Sequence, residues 1–299
     1  MIKLISQKAA IAALVSILIL IGYNLILGIN STLIFYSALL FLEGLFLNYI
    51  CFRFKILGQK SSVPIVLFTI CSVLIMPSLS VADIIYGAVW LGSAFLAFEA
   101  RDNEIQNINY MILLGILLGA AQTINNISIV LTLPIFILFI QTGSRSTRGF
   151  ILSLIYMAMV LFSYVGILYV MELEYKIPTL LPTLSVDYSV FDTILIKLFV
   201  PSIVIGLIIH LFSINNYAFR YPNKTKILNF TMLIQLIMSL LLIFITAQLS
   251  LLIYAVMAST ILLSYGFVYK QKNTFVNAVF VSILCIALCS LYLHRILIL

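Results

Sequence analysis

The chain has 299 residues, of which 64% are hydrophobic and only 8% are Asp, Glu, Lys or Arg. Soluble domains carry roughly 25% charged residues, so this composition excludes a water-soluble globular protein. The formal net charge is +7, but the basic residues are scattered in twos and threes among the loops and form no basic face, which excludes nucleic acid as a partner.

Apolar runs of about 18 to 22 residues follow one another along the chain, and about 20 helical residues cross a hydrocarbon core about 30 Å thick. The runs are continuously apolar, which favours helices over barrel strands because such strands alternate apolar and polar residues. The sequence therefore predicts an all-α, polytopic transmembrane helical bundle, a single domain over 1–299 with about 11 spans. In chain order the predicted spans are 9–29, 31–52, 63–76, 81–98, 109–121, 124–141, 150–171, 194–213, 228–247, 249–268 and 274–293.

Basic residues predict the orientation of these spans. The opening residues with Lys3 and Lys8 resemble the basic start of a signal peptide, but the apolar run leads directly into a second span, so we interpret it as an uncleaved first helix. If the N-terminus is cytoplasmic, alternation places all of the 16 basic residues except Lys176, Lys197 and Arg295 on the cytoplasmic side. This is the enrichment expected of cytoplasmic loops, and it predicts a multi-pass protein of the bacterial inner membrane.

Two predicted spans are unusual. Segment 63–76 is short and bracketed by Pro64 and Pro77, and segment 109–121 runs directly into a polar cluster that begins at Gln122. Each can instead be a half-span or a re-entrant hairpin whose irregular backbone is buried in protein. The number of full spans is then 9 to 11.

Three polar residues within spans are candidates for a substrate path. Glu43 lies in the middle of the second span, where an ionisable side chain is costly and is expected to face the bundle interior; the alternative is a structural carboxyl between helices. Asp83 lies one turn into the fourth span, where it can equally cap the helix that begins near Ser80. His210 lies near the cytoplasmic end of the eighth span and is either a proton relay or an interfacial hydrogen-bonding residue.

The longest loop on the predicted outer face, 172–193, is acidic. A loop of this length is a frequent site of function, although a strap that tethers two helices is the alternative. If the protein is an enzyme, these carboxylates are the candidate base or metal ligands. They are Glu172, Glu174, Asp187 and Asp192.

No motif in the sequence indicates a particular reaction. It contains no phosphate-binding loop, zinc-protease motif or nucleophile elbow, so we assign no catalytic residue and no cofactor. Cys285 and Cys289 are spaced i, i+4 on one helix face, but a structural zinc site needs about four ligands. We therefore interpret both as small core residues and assign no metal.

Two further patterns concern packing. The densest charge cluster, Glu99 with Arg101, Asp102 and Glu104, predicts a solvated cytoplasmic loop with weak internal ion pairs. The Gly115-x-x-x-Gly119 spacing favours close approach to another helix, without identifying that helix.

The stretch from about 45 to 170 resembles an uncharacterised family of bacterial inner-membrane proteins of about this length, known chiefly as a domain of unknown function. The resemblance implies a polytopic membrane fold and no established activity. The chain is also loosely similar to membrane glycosyltransferases that use polyprenyl-phosphate sugars and place an acidic residue in the first outer loop, where this chain has Asn30-Ser31-Thr32. The first resemblance rests on Leu47-Asn48-Tyr49, Leu57, Lys60, Met76-Pro77, Ala82-Asp83, Gly115-x-x-x-Gly119 and the Arg145/Arg148 loop.

These features predict an inner-membrane protein of cell-envelope biogenesis or transport. It either carries an amphipathic or lipid-linked substrate or is the embedded subunit of a larger assembly, with membrane lipids and other membrane-protein subunits as partners. The first alternative is a glycosyltransferase-like enzyme that uses polyprenyl-phosphate sugars. The second is a structural scaffold, for which a lipid-facing Gln235 or Gln248 would be the marker.

Overall fold

The computed structural model describes residue 5, residues 7–28, 30–57, 60–76, 79–102, 107–124, 147–172, 223–246, 251–269 and 274–298, and positions 204, 207, 208 and 211. Within these ranges the regular elements are helices and no strand occurs, which confirms the predicted all-α class. The predicted span 124–141 beyond its first residue, and 194–213 apart from those four positions, lie outside the described residues. The helices are α1 (Ala9–Leu27), α2 (Ser31–Arg53), α3 (Val63–Ile75), α4 (Val81–Asp102), α5 (Asn107–Ile124), α6 (Thr147–Val170), α7 (Asn223–Thr246), α8 (Leu252–Tyr269) and α9 (Thr274–Ile298).

Several helices have the length and composition of membrane spans. Four helices among the described residues are long and apolar enough to cross a membrane: α1, α2, the Val81–Ala100 part of α4 and the Arg148–Val170 part of α6. Their outward faces carry large exposed aliphatic and aromatic side chains, such as Leu18 of α1 and Phe162 of α6. Exposed apolar side chains of this kind suit contact with acyl chains rather than water. The chain is therefore a helical protein of membrane type.

The hairpin between α1 and α2 is set by two local signals. Gly28 ends α1 at a φ of 92°, a backbone region in which glycine has no steric penalty. The side chain of Asn30 then caps α2, because its Oδ1 accepts a hydrogen bond of 3.1 Å from the backbone N–H of Thr32. This tight connection makes the two helices antiparallel neighbours.

By packing, the chain divides into two compact units, Met1–Ile84 with Val186–Leu299 and Ile85–Ser185. This division concerns contacts alone, and the single membrane domain over 1–299 stays a prediction. In the first unit the central element is α3, which contacts α1, α2, α8 and α9. All 13 residues of α3 are buried. At 1.5 Å per residue this helix is about 20 Å long, so the predicted short segment is confirmed.

The second central helix of the first unit is α8. Its described side chains over 251–268 are all buried, and it contacts α7, α3 and α9. A helix that is apolar on all sides belongs in the interior of a fold. The first unit thus has two interior helices, α3 and α8, surrounded by α1, α2, α7 and α9.

In the second unit the tightest contact joins α5 and α6. Gly115 lies against the backbone of Ser153, and a Cβ at Gly119 would stand 2.8 Å from Val160 Cβ. The close approach predicted from the two glycines is therefore confirmed, and α6 is the partner helix. α4 meets α5 where a Cβ at Gly92 would stand 3.4 Å from the Leu117 side chain.

The structure corrects two boundaries. α4 continues to Asp102, so Glu99 lies within its last turn and is only 5% exposed; the prediction of a solvated loop at this residue is wrong. α5 extends through Gln122 to Ile124, because polar residues at a helix end continue the backbone hydrogen-bond pattern as well as apolar ones do. The hydrophobic period and the polarity of the sequence alone do not locate the end of a helix.

Candidate functional site

The carboxyl group of Glu43 lies in the interior of the first unit. The residue stands in the middle of α2 and is 5% exposed, on the buried helix face that also carries Leu40 and Leu47. The expectation that Glu43 faces inward is therefore met, whereas its part in a substrate path stays a prediction. An ionisable group buried at this depth is expensive and is a candidate for function by default.

Glu43 also lies next to a close contact between α2 and α3. A Cβ on the adjacent Gly44 would stand 3.1 Å from Phe68 Cδ1 and 3.5 Å from Ile65 Cγ1. The absence of a side chain at Gly44 lets the backbone of α2 press against the side chains of α3. As a result, Glu43 follows the packing of its helix on α3 and is buried rather than at the lipid-facing surface.

The interior helices carry hydroxyl groups of their own. Three of these residues are fully buried, at 0% exposure: Ser72 of α3 and Thr260 and Ser264 of α8. Their hydroxyl oxygens have no hydrogen-bond partner among the described residues. Ser72 lies one turn beyond Phe68, on the face of α3 against which Gly44 packs. By contrast, the hydroxyl of Thr69 donates to the Ile65 carbonyl over 2.8 Å.

Gln235 adds a buried amide to this set. It lies near the middle of α7 at 0% exposure, and neither its Oε1 nor its Nε2 has a partner among the described residues. α7 packs on α8, and because the two helices are joined by a short connection they run antiparallel. Gln235 and Ser264 lie nearly equal numbers of residues from that connection, so they are at similar depth. Hereafter the polar core means Glu43, Ser72, Gln235, Thr260 and Ser264.

Sequence reasoning missed the inward orientation of Gln235, which it treated as the marker of a scaffold if it faced lipid. Its complete burial removes that marker, and Gln248 lies outside the described residues. A signal was present: Thr231, Gln235 and Ser239 repeat every four residues and so share one helix face. All three are at most 1% exposed.

Asp83 makes the hydrogen bonds of a helix cap. Its Oδ2 accepts from the backbone N–H of Ser80 over 2.9 Å and from the Ser80 hydroxyl over 2.6 Å, and its own N–H donates to Ser80 Oγ over 3.3 Å. This reciprocal pair is a capping box. A substrate-path role for Asp83 stays a prediction, and the carboxylate is already engaged with the start of α4.

The remaining candidates are not brought together by the described part of the chain. Glu172 lies in an exposed turn after α6, at a positive φ of 52°. Glu174, Asp187, Asp192 and His210 lie outside the described residues. The interpretation of Cys285 as a core residue is wrong, because its side chain is exposed on α9. Over the described ranges, no group of three or more His, Cys, Asp or Glu residues is placed to hold a metal ion.

Comparison with protein-family models, with curated proteins and with solved structures finds no match for this chain. The resemblances noted from the sequence therefore stay predictions.

Proposed function

We propose that the chain is a multi-pass protein of the bacterial inner membrane that carries an amphipathic or lipid-linked substrate, with Glu43 in the substrate path. The proposal includes about 11 spans and a cytoplasmic N-terminus. The observation that carries it is the Glu43 side chain, 5% exposed in the middle of a membrane-type helix and next to Gly44, where that helix packs closely on the interior helix α3.

A carrier must replace water around the polar part of its substrate while that part crosses the hydrocarbon core. The polar core supplies the chemistry for this, a carboxyl, an amide and three hydroxyl groups, on α2, α3, α7 and α8. These four helices pack in series, α2 on α3, α3 on α8 and α8 on α7. Buried polar groups nearly always have hydrogen-bond partners, so the amide and hydroxyls of the polar core favour a site that serves a substrate or water.

The length of α3 supports the same proposal. Transporters commonly form their sites from interrupted helices near the bilayer midplane, where neighbouring helices cover the irregular backbone. α3 is too short to cross a core about 30 Å thick, begins with Pro64 in its first turn and is buried along its whole length. A short interior helix beside a buried carboxyl is the arrangement expected of such a site.

The proposal is tested by lipid translocation in proteoliposomes. The purified chain is reconstituted with a trace of NBD-labelled polyprenyl phosphate, and dithionite quenching from outside measures how fast inner-leaflet probe becomes accessible. Wild-type protein should accelerate this exchange over protein-free vesicles. Glu43→Gln should slow it at least about tenfold, a change of about 1.4 kcal/mol in the barrier, because the isosteric amide keeps the packing and removes the acid.

Glu99→Gln is the matched control. Glu99 has the same 5% exposure but lies in the second unit, so the same chemical change there should leave the exchange rate near that of the wild type. Equal rates for Glu43→Gln and wild type would contradict the proposal. So would an equal loss in both variants, because that result would show a general effect of removing a buried acid.

A further inference from the structure

The turn after α2 has the hydrogen bonds of a Schellman motif, with a lysine at the position usual for glycine. The N–H of Ile56 donates to the Cys51 carbonyl over 3.0 Å, and the N–H of Lys55 donates to the Phe52 carbonyl over 3.2 Å. Lys55 has a φ of 51°, in the left-handed region where glycine is the common residue at a helix end. Strain of this kind at a residue other than glycine clusters at functional positions.

This turn gathers three cations at the end of α2. The side chains of Ile56 and Leu57 are 3% and 1% exposed, so the chain is anchored in the protein immediately after Lys55. Lys60 lies back at the helix end, where its Nζ is 5.0 Å from the centroid of the Phe52 ring. Hereafter the basic turn means three exposed residues, Arg53, Lys55 and Lys60.

The charge of the basic turn suits an anionic ligand. In the described part of the first unit the acidic residues are Glu43 and Asp83. Glu43 is buried and lies ten residues before Arg53 on α2, about 15 Å along the helix axis, and the Asp83 carboxylate is engaged in the cap of α4. The C-terminal end of the α2 dipole is equivalent to about half a negative charge. Three cations exceed it.

An exposed apolar and aromatic strip runs along α2 from the basic turn toward the middle of the helix. Its side chains are 39% to 59% exposed, and their spacing of three and four residues places them on one helix face. Ten residues separate its ends, a length of about 15 Å, which is half of a hydrocarbon core about 30 Å thick. The strip therefore has the depth of one membrane leaflet. This α2 strip consists of Leu42, Leu45, Tyr49 and Phe52.

The cations and the strip together decide what kind of occupant fits. A free anion such as phosphate would use only the cations. An apolar partner helix would cover the α2 strip and leave the basic turn uncompensated. An anionic phospholipid matches both features, because its charged head and its acyl chain are joined in the same order and extend over the same depth.

We propose that the basic turn and the α2 strip bind one anionic phospholipid of the adjacent leaflet. Its phosphate accepts charge-assisted hydrogen bonds from the cations of the basic turn, and one acyl chain lies along the α2 strip. The Lys60 ammonium has three donors, so it contacts the phosphate while it stays over the Phe52 ring. This inference goes beyond the proposed function, because it requires only that α2 lies against lipid.

The test is photo-crosslinking of the full-length protein in detergent with two phospholipids that carry a diazirine in the acyl chain. One is phosphatidylglycerol, which is anionic, and the other is phosphatidylcholine with the same chains, which has no net charge. In the wild type, phosphatidylglycerol should label α2 between Leu42 and Phe52 several-fold more strongly than phosphatidylcholine. A large excess of glycerol 3-phosphate at constant ionic strength should not remove this preference. Removal would show that the site binds a free anion and would overturn the proposal.

Lys55→Gly separates the charge of this residue from its part in the fold. Glycine is unstrained at a φ of 51°, so the unfolding midpoint should stay the same or rise. The preference for phosphatidylglycerol should nevertheless fall about fivefold, the contribution typical of one basic residue at an anionic surface. A lower midpoint with an unchanged lipid preference would contradict the proposal, because the lysine would then serve the turn alone.

Lys60 allows a test of charge at a second position. Lys60→Gln should lower the preference for phosphatidylglycerol by a similar factor, whereas Lys60→Arg, which keeps the charge, should retain most of it. Unfolding midpoints confirm that both variants are folded. Equal loss in Lys60→Gln and Lys60→Arg would contradict the proposal, because it would show an effect of packing rather than of charge.

Arg148→Gln is the control for net charge. Arg148 is exposed at the start of α6, in the second unit, and its substitution changes the net charge by the same amount as Lys60→Gln. It should leave the labelling of α2 unchanged. Equal losses in Arg148→Gln and Lys60→Gln would overturn the proposal, because they would show only a general attraction between a basic protein and anionic lipid. Equal labelling of the wild type by the two phospholipids would overturn it as well.

Discussion

Gly115 of α5 lies directly against the backbone of Ser153 in α6, where a β-carbon on the glycine would stand 2.9 Å from Ser153 Cα. One turn along, Gly119 meets Val160 and the Met157 carbonyl in the same way. The two helices therefore touch backbone to backbone over one turn. Association of this kind in lipid depends on dispersion and close packing, because the hydrophobic effect does not drive one apolar helix onto another there.

Substitution of either glycine by alanine should destabilise the second unit. Gly115→Ala and Gly119→Ala place a methyl group where backbone atoms already lie, and overpacking of this type costs about 1–3 kcal/mol. The single tryptophan of the chain, Trp90, is buried in α4 of the same unit. Its fluorescence during denaturant titration in detergent therefore measures the effect locally.

Gly166→Ala is the control for this prediction. Gly166 lies on α6, and a Cβ there has nothing within 4 Å. Its substitution should leave the Trp90 transition unchanged or raise its midpoint slightly, since alanine favours helix more than glycine does. Equal stability of all three variants would show that the α5–α6 contact is looser than the structure indicates.

Removal of the capping box should weaken the start of α4. Asp83→Ala leaves the Ser80 N–H and hydroxyl without their acceptor, and loss of such a cap costs about 0.5–2 kcal/mol. The expected result is a lower thermal unfolding midpoint in detergent. Ser282→Ala, which removes an exposed hydroxyl that bonds the Val279 carbonyl within α9, should have little effect; a larger loss in this control than in Asp83→Ala would contradict the assignment.

The contact between α2 and α3 predicts a compensating pair. Gly44→Ala should destabilise the first unit, because the new methyl group lies 3.1 Å from Phe68 Cδ1 and Phe68 is fully buried. Shortening that neighbour in Gly44→Ala/Phe68→Leu should recover part of the loss. A double-mutant cycle of unfolding free energies measures the coupling, and strictly additive effects would show that the two residues do not touch.

Substitution of Gln235 tests whether the polar core binds a substrate or stabilises the fold. Its buried amide makes no hydrogen bond to a described residue, and a buried polar group in this state costs about 1–3 kcal/mol. Gln235→Met, of similar length and shape, should therefore raise the unfolding midpoint and slow lipid translocation together. A variant that is less stable than the wild type would show that the amide is a structural hydrogen-bonding group.

The sequence predicts the helices well and the interior poorly, for a physical reason. Apolar runs, and the two prolines that flank α3, are features of the local sequence. The observed helices α1, α2 and α3 therefore match their predicted ranges within two residues. Burial depends on which helices surround a residue, and no local pattern states that. Glu99 appeared solvated because charges cluster around it, and Gln235 was ambiguous because one polar residue in an apolar run can face lipid or protein.

The hydrogen bond from Asn24 to Ser37 shows the same limit. The two residues are 13 positions apart and come together only because Gly28 and the Asn30 cap fold α1 back on α2. Each side chain alone is an ordinary polar residue near a span end. Their hydrogen bond exists only in the folded hairpin.

The central claim is that the α1–α2 hairpin crosses a bilayer and returns, and cysteine accessibility tests it most directly. In a variant without the four native cysteines, Ser31→Cys places a thiol at the exposed tip of the hairpin and Lys60→Cys places one at an exposed position three residues before the start of α3. A membrane-impermeant maleimide added to intact spheroplasts should label Ser31→Cys and should label Lys60→Cys only after permeabilisation. Labelling of both thiols in intact cells, or of Lys60→Cys alone, would contradict the account.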